Sequence, residues 1–255
     1  MCHDFDSRPP VAPLAGAAVE HSDLVLEPTD GNRFAAFEAR PADPSGAGIV
    51  ILPDVRGLHR FYEELALRFA ERGHRAIAID YYGRTAGVAK RGEDFDYQAH
   101  RGRLTPADVR TDLAAALARL RSPEGGACTS LFTVGFCFGG GRSWLAAAGP
   151  EALSGAIGFY GLPGGRGGWP GATQRARELR APILALMGGA DQAVPAADIA
   201  AFAEALEAAG VEHEVVTYEG APHSFFDRKQ HEFAEAADDA WRRTLDFIER
   251  HRSRP

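Results

Sequence analysis

Gly135-Phe136-Cys137-Phe138-Gly139-Gly140-Gly141 sets a single thiol among glycines at the end of the apolar run "TSLFTVGF" (129–136). A glycine–nucleophile–glycine turn between a strand and a helix lifts a reactive side chain clear of a sheet. Most such turns carry serine; here the residue is cysteine. Two more reactive groups follow similar apolar runs: Asp191 after "ILALMGGA" (183–190) and His223 after "VVTYEGAP" (215–222). Thiol, carboxylate and imidazole are the groups of covalent acyl transfer: the sulfur attacks a carbonyl, the imidazole moves the proton, and the carboxylate orients the imidazole. Side chains at Gly135 or Gly139 would collide with the neighbouring strand and helix, which accounts for the glycines. The helix after the turn points its N-terminus at the sulfur, and the Phe138 N–H faces the oxyanion that attack creates. A thiolate is a good nucleophile and also a good leaving group, so esters and lactones suit it better than amides. Taken singly, each residue also has a plain structural reading, as a buried turn cysteine, a helix-capping aspartate or a core histidine. Types, order and strand-end placement together favour chemistry.

The elements that must position these groups alternate along the chain. "DLVLEPTDGNRFAAFEAR" (23–40) alternates apolar and polar residues around Asp30-Gly31, the pattern of a β-hairpin. "AGIVILP" (47–53) reads as a strand covered on both faces, and "FYEELALRFAERG" (61–73) as a helix closed by Gly73. A strand over 74–80 leads to a polar loop, 83–104. Thr105-Pro106 then opens a helix, with threonine as N-cap and proline in the first turn. The strand 129–136 enters the glycine turn, and "GRSWLAAAG" (141–149) begins the helix behind it. Strands over 154–161 and 181–189, a helix over 195–210 closed by Gly210, a strand over 212–220 and a helix over 231–250 complete the chain. Strands alternating with helices predict one α/β domain over 21–255, preceded by a flexible arm over residues 1–20. The site then belongs at the carboxyl ends of the strands. Tyr160, after "GAIGF" in the strand 154–161, is expected to face the site as a candidate substrate-binding residue, and Trp169 among its glycines reads as a mobile flap.

Bulk properties narrow the function. The chain has 255 residues, 45% hydrophobic and 25% charged, with a net charge of −7. That balance gives no basic footprint for nucleic acid. No apolar run reaches the roughly 18–20 residues of a membrane span, and the N-terminus carries no secretory pattern. Cys2, Cys128 and Cys137 form no C-x-x-C pair, so the expectation is a reducing, cytoplasmic setting with free thiols. Cys128 reads as inert, and Cys2 lies on the arm. "DFDYQAH" (94–100) has no metal-ligand spacing. No G-x-G-x-x-G turn marks a dinucleotide site. Neither metal nor cofactor is expected.

Five stretches together resemble the dienelactone hydrolase (carboxymethylenebutenolidase-like) family of the α/β-hydrolase superfamily: "GFCFGG" (135–140), "LPDVRGLH" (52–59), "AIDYYGRT" (78–85), "GGADQAVP" (188–195) and "GAPHSFFDR" (220–228). They run in family order from residue 47 almost to the C-terminus. The resemblance implies an α/β-hydrolase fold, a mostly parallel sheet of about 7–8 strands with helices on both faces. It implies hydrolysis of a small lactone or ester by a Cys137-His223-Asp191 triad through a covalent thioester. The Val55 N–H would be the second oxyanion donor beside Phe138. Asp54 falls where the family has a glutamate that contacts the resting thiol, one methylene shorter. The family's use of arginine for a substrate carboxylate points to Arg228, one position later than the expected spacing, and to Arg101 or Arg103. His59, Phe61 and Tyr62 either line the pocket or pack a helix start. The alternatives are a thioesterase or acyltransferase on the same scaffold, or a non-catalytic ligand-binding or redox-sensing homologue. The expected partner is a small ester or lactone; oligomeric state is not legible.

Overall fold

Buried apolar runs become strands, and runs with a 3.6-residue apolar repeat become helices laid over them. A computed structural model describes Asp4 and residues 6–253. Among the described residues it contains β1 (Val19–Leu26), β2 (Phe34–Pro41), β3 (Ala47–Leu52), α1 (Arg60–Ala70), β4 (Arg75–Ile79), α2 (Gly83–Ala86), α3 (Tyr97–Arg101), α4 (Pro106–Arg121), β5 (Ser130–Phe136), α5 (Phe138–Ala146), β6 (Gly155–Phe159), β7 (Ile183–Gly188), α6 (Ala196–Ala209), β8 (His213–Tyr218) and α7 (Ala234–His251). The eight strands form one sheet in the order β1-β2-β4-β3-β5-β6-β7-β8. β2 pairs antiparallel with both neighbours, and β4 through β8 pair in parallel. This is an α/β-hydrolase sheet. From β3 the chain steps to one side for β4 and to the other for β5, so the β3–β5 boundary is the switch point where such sheets open a crevice.

Alternate residues of each central strand feed two cores. On one face, Phe61, Leu65 and Phe69 of α1 and Trp241, Phe247 and Ile248 of α7 pack on Ile49, Ile51, Val134 and Ile157. On the other, Val109, Leu113 and Leu117 of α4 cover Val50, Leu52 and Ile77, and Trp144 of α5 and Phe202 of α6 cover Ile183 and Ala185. β3, β5, β6 and β7 are buried at every residue, as continuous apolar strands under two helix layers must be.

Local signals match the elements they flank. Thr105 accepts from Asp108 N at 3.2 Å, and the Asp108 carboxylate accepts from Thr105 N at 2.9 Å, a reciprocal cap on α4. Gly73 has φ 85°; its N–H reaches Ala70 O, and His74 N–H reaches Phe69 O at 3.1 Å, which seals the end of α1. Three features differ from the sequence reading. The polar stretch 83–104 holds the short helices α2 and α3, the latter capped by Asp96. α5 starts at Phe138, because Cys137 is itself the residue before its first turn. Residues 6–18, read as a flexible arm, run against the domain: Ser7 is buried and donates to Asp227 at 2.6 Å, Arg228 N donates to Arg8 O at 3.0 Å, and Leu14 N donates to Glu71 at 2.9 Å. Contacts across 220 residues of sequence leave no periodic trace. Cys128 is buried, and burial pushes its thiol up; Cys2 lies outside the described residues.

Candidate active site

The chain leaves β5 and enters α5 through Cys137, at φ 54° and ψ −112°. An L-residue takes that conformation only where its surroundings hold it there. Close approach supplies the hold. A Cβ on Gly135 would lie 2.0 Å from Gly139 O, and one on Gly139 would lie 2.1 Å from Leu52 O and 2.4 Å from Pro53 O. The first turn of α5 is thereby pressed against the end of β3. Cys137 N donates to Phe159 O at 3.0 Å, fixing the turn to the end of β6.

Asp191 and His223 meet at the ends of β7 and β8. The Asp191 side chain is fully buried; one oxygen accepts from Ala193 N at 2.7 Å and Val194 N at 3.3 Å. The other lies 2.7 Å from His223 Nδ1. A carboxylate only accepts, so Nδ1 carries a proton towards Asp191. The two segments are joined closely: a Cβ on Gly188 would sit 2.6 Å from Ala221 O, and Ala190 N donates to Ala221 O at 2.9 Å. The Tyr160 ring packs on the His223 imidazole, centroids 4.9 Å apart. Tyr160 is fully buried at φ 38°, and Ser224, next to His223, has φ 62°. Of the five non-glycine residues at positive φ among the described residues, Cys137, Tyr160 and Ser224 follow β5, β6 and β8, where sites store strain, and Ala127 and Ala152 lie before β5 and β6.

The loop after β3 carries Asp54 and Val55. Asp54 is fully buried. Arg56 grips its carboxylate at 2.7 Å and 3.1 Å, Tyr62 donates its hydroxyl at 2.9 Å, and His59 Nε2 lies at 3.5 Å. Burial alone would push the Asp54 carboxyl up; the bonds and charges of His59 and Arg56 outweigh it and hold the group well below the usual carboxylate range. Tyr62 also accepts from Asp54 N at 2.8 Å, Tyr81 donates to Pro53 O at 2.8 Å, and Tyr82 donates to Val55 O. This loop is locked from both ends. No hydrogen bond occupies the Val55 N–H among the described residues. The Phe138 N–H, at the head of α5, precedes the helix's own acceptors.

Arg101, Arg103 and Arg228 are all exposed. His59, Phe61 and Tyr62 are buried against one another and against Phe136, which is the helix-start reading. Trp169 is packed rather than loose. Gly167 and Gly168 both have positive φ, a hairpin turn that only glycines take easily, and the turn lays the indole edge-on to Phe138 at 5.1 Å. That Gly-Gly pair was the sequence signal for its fixed position. Sequence reasoning also missed Arg56 and Arg142; the latter stands over the rings of Phe138 and Trp169. Among the described residues no group of three or more His, Cys, Asp or Glu is arranged to hold a metal, and no helix is long and apolar enough to cross a membrane.

Comparison with known proteins bears on this geometry. The sequence model of the Dienelactone hydrolase family matches residues 34–252. A carboxymethylenebutenolidase of Rhodococcus opacus is 28% identical over 263 residues, covering 98% of this chain and 97% of that protein. A Yersinia pestis protein provisionally given the same name is 31% identical over 234 residues, covering 88% and 86%. The crystal structure of a Klebsiella pneumoniae protein, provisionally described as a dienelactone hydrolase, superposes with a TM-score of 0.80 at 29% identity, over 91% of this chain and 99% of that one.

Proposed function

The chain belongs to the dienelactone hydrolase family and is a carboxylic ester hydrolase of that type; on that footing we propose that it cleaves a small ester or lactone with Cys137 as nucleophile, His223 as base and acid, and Asp191 as the orienting carboxylate. One observation carries the reading: the Asp191–His223 contact of 2.7 Å, which orients the imidazole, in a chain whose glycine turn holds Cys137 at φ 54°. His223 Nε2 takes the thiol proton as the sulfur attacks the acyl carbon. The carbonyl oxygen becomes an oxyanion and draws on the N–H groups of Phe138 and Val55, each such donor being worth about 10²–10³ in rate. Collapse breaks the acyl C–O bond, and the imidazolium returns its proton to the departing oxygen. In a lactone that oxygen stays tethered to the acyl group. His223 then deprotonates a water that attacks the thioester, and the carboxylic acid leaves as the thiol is restored. Asp54 acts through the loop it anchors, setting the Val55 N–H, rather than as a movable partner of the thiol.

Cys137→Ala abolishes turnover of p-nitrophenyl acetate, and mass spectrometry of the acid-quenched, proteolysed wild-type protein finds the acetyl group on the Cys137 peptide. Undiminished turnover in the alanine variant would refute the assignment. A panel of lactones against acyl thioesters fixes the leaving group.

A further inference from the structure

The buried ends of this chain's arginines generally meet carboxylates: Arg91 lies 2.7 Å from Asp80 and Arg56 2.7 Å from Asp54. Arg142, on α5, does not. Among the described residues it makes no ion pair; one Nη donates to Pro170 O at 3.1 Å, and its Nε is buried without an acceptor. Its guanidinium stands 5.7 Å from the Phe138 ring centroid and 5.0 Å from that of Trp169. Burial holds it down to about 10, with no carboxylate to oppose the shift. Two ring faces answer only a small part of the cost of burying a cation.

This cation borders a groove of about 290 Å³ between α4 and α5. Val109 and Leu113 of α4, Leu145 of α5 and Pro170 make its apolar walls, and Arg110 adds a second cation without an ion pair among the described residues. The remaining arginine on the rim, Arg175, is answered by Glu178, 3.0 Å away. A wider groove of about 600 Å³ at β1 and α1 differs in this respect: its Lys90 is already neutralised by Asp23 at 2.7 Å and Glu63 at 2.8 Å.

We propose that the α4–α5 groove is a second binding site, for a small organic monoanion whose carboxylate pairs with Arg142 and Arg110 and whose apolar body lies on Val109, Leu113 and Leu145. The volume suits the body of an aromatic or short-chain carboxylate. Arg142 is five residues beyond Cys137, more than a full turn along α5, and Cys137, Asp191 and His223 are not among the residues that line the groove. The site is therefore separate from the thiol and does not rest on the chemistry proposed for it.

Benzoate titrated calorimetrically into the full-length protein tests the proposal, with benzyl alcohol as the neutral isostere. Benzoate binds, binds more weakly as KCl is raised, and loses about tenfold or more of its affinity in Arg142→Met; benzyl alcohol gives no comparable heat. Ala107→Trp is the second variant: Ala107 is exposed on the first turn of α4, and the indole fills the rim without entering the core. It abolishes benzoate binding and leaves p-nitrophenyl acetate turnover unchanged. No binding by the wild-type protein, or equal affinity in wild type, Arg142→Met and Ala107→Trp, would overturn the assignment. Loss of turnover in Ala107→Trp together with loss of binding would place benzoate in the thiol's own pocket and overturn it as well.

Discussion

Asp191 and Asp54 are both buried carboxylates at the ends of central strands, yet their partners give them different duties. Asp191 spends one oxygen on its own turn and offers the other to His223. Replacing it with asparagine keeps the turn's acceptor but puts an amide N–H₂ or a weaker carbonyl against Nδ1. The histidine tautomer is then no longer fixed, and Nε2 carries the proton in a share of molecules. Asp191→Asn therefore lowers kcat by about 10²–10⁴ while its urea midpoint stays near that of the wild type. Asp54 is different, because Arg56, Tyr62 and His59 all converge on it. Asp54→Ala removes the buried carboxylate that Arg56, Tyr62 and His59 share, and costs about 3–5 kcal/mol in urea denaturation. If Asp54→Ala were as stable as wild type and reacted faster with iodoacetamide, a thiol-gating role would stand instead. Asp191 stands out in the sequence because strand end, order and type coincide, and the structure sets it against His223. The clamp on Asp54 does not stand out: its members sit two, five and eight residues along, across a loop and the first turn of α1, at a spacing that follows no repeat.

The sequence makes elements legible where physics is local. Asp30-Gly31, Thr105-Pro106 and Gly73 each mark a boundary by their own backbone preferences, and the structure has a hairpin, a capped helix start and a sealed helix end at those places. The loop 83–104 concealed α2 and α3 because helices of four and five residues have no apolar face long enough to register a period. Element packing also yields a pH dependence. His74, in the link from α1 to β4, is 2% exposed and has Ser45 Oγ at 2.9 Å from Nδ1. Burial pushes it down from 6.5 to about 4. Between those values the unfolded chain binds a proton that the folded protein refuses, so the stability present above pH 6.5 is lost as pH falls and is fully lost below about 4. The contribution is about 3 kcal/mol. Urea midpoints measured from pH 7 to 4 fall in wild type and fall less in His74→Gln, whose amide keeps a hydrogen bond to Ser45 without titrating. Parallel profiles would assign the acid lability elsewhere.

On the scale of the whole molecule, the site is assembled from segments that share no sequence neighbourhood, and this is where sequence reasoning ran short. Helix and strand periods reveal which residues face a core, not which distant chain end is fastened beside a histidine. The segment around Ser7 is the clearest case. Its hydroxyl, buried, donates to Asp227, four residues after His223, whereas the Lys229 pairs with Asp4 and Asp6 in the same region are exposed. Exposed pairs of that kind are worth about 0–1 kcal/mol, and a buried hydrogen bond to a carboxylate about 1.5–3 kcal/mol. The buried bond is therefore the fastening, and the surface charges only accompany it. Ser7→Ala destabilises the protein by about 1.5–3 kcal/mol and Lys229→Ala by less than about 1 kcal/mol, both read from urea midpoints at constant m-value. Ser7→Thr, which keeps the hydroxyl, recovers part of the loss. The same ordering holds for turnover of p-nitrophenyl acetate under native conditions, since slack at Asp227 reaches the loop that aims His223 at Asp191. Equal, small effects from the alanine variants at Ser7 and Lys229 would mean that the loop holds its shape through its own strained residues, Ser224 foremost, without the N-terminal segment.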